Sequence, residues 1–231
     1  MTTGSPQSIA RLAGLLYLVV VLTGIFSLAY VPGQLFNWKD GVATTQNIVA
    51  NETMFRAGIL SSMMCYTAFL LLPLVLYRLL QNVSRNAAIL MVVLAVVSVP
   101  ISIINLQHKW AVLSLIETNA GQLPLNIAAQ VMEALTTYNH GILLVALFWG
   151  LWLLPFGYLV YRSGFLPKIL GILLMLGCVG YLINLVGQTL LPHYSQLGIS
   201  KYISLPASIG EIGTCLWLLI VGVKTTTKTD Q

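Results

Sequence analysis

One acidic residue of this sequence stands in the middle of a long apolar run: Glu211, within Ser208-Ile209-Gly210-Glu211-Ile212-Gly213-Thr214. An ionisable group inside a membrane-length segment is expensive to bury and is a functional suspect by default. Such a carboxyl can serve as general acid or base, or as a contact for a polar ligand group. Gly210 and Gly213 flank it and let a neighbouring helix come close. Thirteen residues separate Glu211 from Lys224, about 20 Å of helix at ~1.5 Å per residue. Asn184 follows Lys168 by sixteen residues, which places it at ~24 Å, just above Glu211. Arg56 opens another apolar run. Its stem can snorkel to water, or its guanidinium can reach a carboxylate such as Glu211. With Glu133 and His140, these residues form a candidate ligand-binding set: Arg56, Glu133, His140, Asn184 and Glu211. Beside it stands a plainer reading, in which buried polar side chains only join helices together.

Other chemistries find less support. His108, His140 and His193 share no HxxxH or HExxH spacing, so a zinc hydrolase lacks its signature and no metal is expected. The one cofactor arrangement the histidines allow is a haem held between His108 and His140, and ordinary interfacial histidines are commoner than that. Cys65, Cys178 and Cys215 lie at mid-membrane depth with Met63, Met64 and Met175 close in sequence. Soft sulfur suits copper(I), yet the same residues fill apolar gaps, and packing is the expectation. Gly150 and Gly157 are seven residues apart, as are Gly180 and Gly187. Each pair lies on one helix face and reads as a packing contact. No phosphate loop, nucleophile–base pair or other catalytic motif is present.

The elements that must position these groups are membrane helices. Of 231 residues, 58% are apolar and only 7% charged, and the mean hydropathy is +0.88. Soluble domains carry about 25% charged residues, so lipid must solvate much of this surface. That excludes a soluble enzyme, a disordered chain and a nucleic-acid reader. The net charge of +5 comes from bases spread along the whole chain, with no patch.

Six apolar runs of about 20 residues are long enough to span a bilayer core of ~30 Å: residues 12–31, 57–77, 87–107, 140–160, 167–190 and 205–223. The fold class is therefore all-α, a single polytopic domain over residues 1–231 with six transmembrane helices. Arg11 and the run after it have the order of a signal peptide, but the run is too long and no small-residue cleavage site follows, so it reads as the first span. Pro73, Pro100 and Pro155 lie inside apolar runs and should kink or loosen their helices. With both termini cytoplasmic, Arg11, Arg78, Arg85, Arg162, Lys168, Lys224 and Lys228 fall inside, and Lys39, Arg56, Lys109 and Lys201 outside. The bases then divide seven to four as the positive-inside rule requires. Residues 43–54 and 127–138, in the long outer connections, carry apolar residues at helical spacing. Each lies at the interface or extends the next span.

The stretch Phe148-Trp149-Gly150-Leu151-Trp152-Leu153-Leu154-Pro155-Phe156-Gly157-Tyr158-Leu159-Val160-Tyr161-Arg162-Ser163-Gly164-Phe165-Leu166-Pro167-Lys168-Ile169-Leu170-Gly171 resembles the signature of a bacterial integral-membrane family catalogued as domain of unknown function 4386. Arg11 to Leu18, Phe55-Arg56-Ala57-Gly58-Ile59, Gly180-Tyr181-Leu182-Ile183-Asn184, Gly210-Glu211 and Leu216-Trp217-Leu218-Leu219 extend the resemblance over nearly the whole chain. It implies a six-helix inner-membrane protein without an assigned activity, in which Arg56, Asn184 and Glu211 belong to the family pattern. Asp often stands at the Asn184 position in that family. The third span has Val96 to Ile101 where relatives carry an Arg and a Glu, so a family site resting on that pair does not carry over.

Three function classes stay open. In the first, the protein binds or carries a small amphipathic or lipid-like ligand in an outer-half cavity around Glu211. In the second, it is a membrane enzyme acting on a lipid or isoprenoid at the outer leaflet. In the third, it is a structural or regulatory partner of another membrane protein. Membrane lipid is the expected partner and nucleic acid is not.

Overall fold

The computed structural model describes residues 5–119 and 125–223. The fold is all-α, with no strand among the described residues, and six helices are long and apolar enough to cross a membrane. In chain order they are α1 (Pro6–Leu35), α3 (Glu52–Leu80), α4 (Arg85–Thr118), α5 (Leu125–Arg162), α6 (Lys168–Leu190) and α7 (Ile199–Leu216, continued by a π-helical turn Trp217–Val221). A short helix, α2 (Gly41–Ala50), stands between the first two. Every run identified by hydropathy is a span. The inner charges Lys224, Lys228 and Asp230 lie outside the described residues.

Local chemistry sets the element ends. Ser5 caps α1 through its Oγ, which accepts from Ser8 N at 3.2 Å, and Pro6 takes the first turn, where its missing N–H costs nothing. The carboxylate of Asp40 caps α2 by accepting from Ala43 N at 2.9 Å. The wide π turn Ile25–Tyr30 ends two residues before Pro32, which has no N–H to give and crowds the preceding turn. Pro73 and Pro100 sit inside continuous helices, whereas Pro155 follows an interruption of α5 at Trp152.

The first four spans are longer than the sequence runs suggested. At ~1.5 Å per residue, the 34 residues of α4 and 38 of α5 reach about 51 and 57 Å, well beyond a ~30 Å hydrocarbon core. Residues 127–138 are thus an extension of α5. Residues 43–54 form most of the separate α2 and the first turn of α3, with Asn51 between them. The prolongation of α4 over Gln107–Thr118, after a single turn at Leu106, was not expected from hydropathy because polar residues interrupt it.

The chain divides into two compact units whose boundaries fall inside α1, α3, α4 and α5. Unit 2, residues 19–67 and 99–145, contains the helix prolongations and α2. Its apolar core includes Val31, Leu35, Ile48, Phe55, Val112, Ile116, Val131 and Leu135, all buried. Asn47 ties α2 to the end of α1 by donating to Leu35 O at 3.3 Å.

Unit 1, residues 1–18, 68–98 and 146–231, is held by close backbone contacts. A Cβ on Gly157 would stand 2.6 Å from Gly171 O, so α5 and α6 meet backbone to backbone. Gly14 does the same for α1 against α7, where a Cβ would lie 2.5 Å from Leu219 N. The amide of Gln7 closes this pair of helices: Nε2 donates to Val221 O and Oε1 accepts from Val223 N, both at 2.9 Å. It caps the end of α7 from another helix. Gly222 at φ 73° reverses the chain there, a conformation that side chains disfavour.

Candidate functional site

In unit 2, Arg56 and three apolar residues lie on one stripe of α3: Arg56, Ile59, Leu60 and Met63, spaced i, i+3, i+4, i+7. Opposite stand Trp110 and Leu113 of α4. Together these six residues line an open cleft of about 120 Å³. Ile59 and Leu113 form its buried floor, while Leu60, Met63 and Trp110 are exposed. The Arg56 guanidinium donates from Nε to Glu52 Oε1 at 2.7 Å, one turn back on α3, and from Nη2 to Glu117 Oε1 on α4. All three side chains remain partly open. The cleft therefore has apolar walls and a charged rim, the arrangement that accommodates an amphipathic molecule.

Deeper in unit 2 is a polar group that sequence reasoning missed. Lys109 is only 1% exposed, and its Nζ lies 4.4 Å from the centre of the Tyr138 ring, a cation–π contact. Asn105, one turn earlier, donates to Tyr138 O at 2.9 Å. Its side chain fits there because residue 141 is glycine: a Cβ at Gly141 would collide with the Asn105 amide. The Tyr138 phenol adjoins the hydroxyls of Tyr66 and Ser62. The sign of this burial was present in the sequence. Lys109, Val112, Leu113 and Ile116 follow the i, i+3, i+4, i+7 spacing of one face, so the lysine shares the face that packs inward.

In unit 1, Glu211 is held by an aromatic cluster. Tyr17 donates its hydroxyl to Glu211 Oε1 at 3.1 Å. The Tyr17 ring tilts against Trp152 and Phe156, which stack on each other at 5.0 Å, and Phe69 meets Trp152 edge-on at 5.0 Å. Removing the hydroxyl strands a carboxyl in an apolar setting. Tyr17→Phe is expected to lower unfolding stability by about 1–3 kcal/mol, whereas Glu211→Gln, which keeps an acceptor oxygen, costs about 1 kcal/mol or less. Denaturant titration in micelles checks both; equal losses would contradict the assigned contact.

Asn184 is a hub of the same unit. Its Nδ2 donates to Ser204 Oγ at 3.0 Å and Ser200 O at 3.4 Å, and its Oδ1 accepts from Tyr194 OH at 2.9 Å. These bonds fasten α6 to the start of α7 and to the connecting turn.

Of the five candidate residues, Arg56, Glu133 and His140 belong to unit 2 and Asn184 and Glu211 to unit 1. Glu133 and His140 are exposed on α5, and Arg56 pairs with Glu52 and Glu117. The partner found for Glu211 is the hydroxyl of Tyr17, a residue type that a search for opposite charge passes over. His108 is half-buried on α4. Among the described residues no group of three His, Cys, Asp or Glu side chains is placed to hold a metal ion. The side chains of Cys65, Cys178 and Cys215 are all buried.

A protein of Archaeoglobus fulgidus, named only as an uncharacterized protein, is 28% identical over 149 residues, which are 64% of this chain and 74% of its own. No solved structure matches. Residues 12–222, from the first span to the end of the last, match the family described as domain of unknown function DUF4386. The chain is a multi-pass membrane protein and belongs to that family.

Proposed function

We propose that this protein resides in the cytoplasmic membrane of a bacterium with both termini inside, and that it holds a lipid-like amphipathic molecule in the outer half of the bilayer. The orientation rests on the seven-to-four division of bases. Alternation of spans then puts the cleft's rim, at the start of α3, on the outer side.

The observation that carries the binding reading is the cleft itself. Ile59, Leu60, Met63, Trp110 and Leu113 supply apolar walls, and Arg56 supplies charge at one end. An acyl chain fits such walls without leaving a polar group unpaired, while the headgroup meets the rim where water is available. Six residues lining a cleft of about 120 Å³ cannot enclose a whole lipid. They are suited to gripping the upper chain and the headgroup linkage. In this reading Arg56 is the binding residue, and Glu211 and Asn184 serve the structure of unit 1.

The test is native mass spectrometry of protein extracted with its own lipid. Leu60 is 60% exposed on the cleft wall, so Leu60→Trp fills the cleft without entering a packed core. Retained lipid is expected to fall at least about fivefold. Ile183→Trp, at another exposed position on α6, should change nothing. Equal retention in Leu60→Trp and wild type would contradict the reading.

A further inference from the structure

The rim of the cleft carries more charge information than an arginine alone. Arg56 contributes +1, and Glu52 and Glu117 contribute −1 each, so the group is net −1 (+1 −2). A simple anion would approach a net negative cluster. The guanidinium has five N–H donors, and its bonds to the two carboxylates use two of them. Each carboxylate uses Oε1 for Arg56, and among the described residues Oε2 of each has no bonded partner. The Glu side chains are 39% and 58% exposed, so these oxygens are accessible. Trp110 on the opposite wall is exposed over half its surface, and an indole face attracts a cation.

The rim thus offers acceptor oxygens and a π-face for a cation, together with spare N–H donors for an anion. From this charge pattern, and resting on the lipid-binding reading above, we propose that the occupant is a zwitterionic phospholipid with a primary ammonium headgroup, of the phosphoethanolamine class. The ammonium, with three N–H donors, bonds the free oxygens of Glu52 and Glu117. The phosphodiester takes the remaining Arg56 donors, and an acyl chain lies along Ile59, Leu60 and Met63. A quaternary choline has no N–H for the carboxylates. A glycerol headgroup leaves its phosphate facing the net negative charge.

The experiment offers delipidated protein an equimolar mixture of phosphatidylethanolamine, phosphatidylcholine and phosphatidylglycerol with identical acyl chains, and reads the retained lipid by native mass spectrometry. Wild type is expected to retain the ethanolamine lipid at least about fivefold over either competitor. In the Glu52→Gln, Glu117→Gln double variant that preference should fall to near parity. Preference for the glycerol lipid, or equal retention of all three by wild type, overturns the assignment, and neither result depends on how a variant folds. If Leu60→Trp lowers retention while wild type shows no ethanolamine preference, the cleft reading stands and the headgroup assignment falls. If Leu60→Trp retains lipid as wild type does, the cleft reading falls and the assignment falls with it.

Discussion

Tyr138→Leu is expected to destabilise the protein by about 3 kcal/mol, among the largest effects of any single substitution outside the packing glycines. The reason is the ammonium it leaves behind. Lys109 is buried on the inward face of α4 with its Nζ over the Tyr138 ring. A desolvated cation–π contact contributes about 2 kcal/mol or more. A buried charge left without a partner costs about 3–5 kcal/mol, less whatever the flexible stem recovers by moving. Tyr138→Phe keeps the ring face and should cost about 1 kcal/mol or less. The discriminating variant is the double one. Lys109→Met removes the charge while keeping an unbranched apolar stem, and in that background Tyr138→Leu should lose most of its penalty. Unfolding by denaturant titration of the four proteins gives the coupling directly. An unchanged Tyr138→Leu penalty in the Lys109→Met background would show that the ring, and not the cation above it, is what matters.

Gly157→Leu is the second large effect, and it acts through a different mechanism. A Cβ there would lie 2.6 Å from Gly171 O and 2.9 Å from Met175 N. These are backbone atoms of α6, so no rotamer change relieves the clash and the helices must separate. Overpacking of a closed contact costs about 1–3 kcal/mol or more, and a leucine at a backbone-to-backbone crossing belongs at or above the top of that range. The contrasting site is Gly33, near the end of α1, where an added Cβ meets nothing within 4 Å. Gly33→Ala should be neutral or stabilise by up to about 1 kcal/mol, the difference in helix propensity. Thermal unfolding in micelles separates the two. Similar midpoints for both variants would contradict the close approach of α5 and α6.

The sequence carried the spans and their order because hydrocarbon demands a long apolar helix, and no other local signal competes. It carried the ends of the prolonged helices less well. Gln107–Thr118 mixes polar and apolar residues, so a hydropathy window stops near Gln107, while the i, i+3, i+4 spacing of Lys109, Val112 and Leu113 continues the helix. The same window made Lys109 a surface base. Its periodicity makes it a core residue, and its 1% exposure agrees with the periodicity. The stripe of Arg56, Ile59, Leu60 and Met63 was readable on α3. Its opposite wall was not, because Trp110 and Leu113 lie about fifty residues away on a segment read as a connection. Charge pairing was legible in kind and not in partner. Arg56 meets Glu52 one turn away and Glu117 on a prolonged helix, and Glu211 meets a tyrosine hydroxyl.

The central claim, that the cleft between α3 and α4 in unit 2 is a lipid site, is tested most directly by photolabelling. Protein reconstituted with a phospholipid carrying a diazirine high on one acyl chain is irradiated, digested and mapped by mass spectrometry. The cleft predicts labels concentrated on Ile59–Met63 and Trp110–Leu113, and suppressed there by Leu60→Trp. Labels spread over all six spans in proportion to their exposed surface, and unchanged by that substitution, would contradict it.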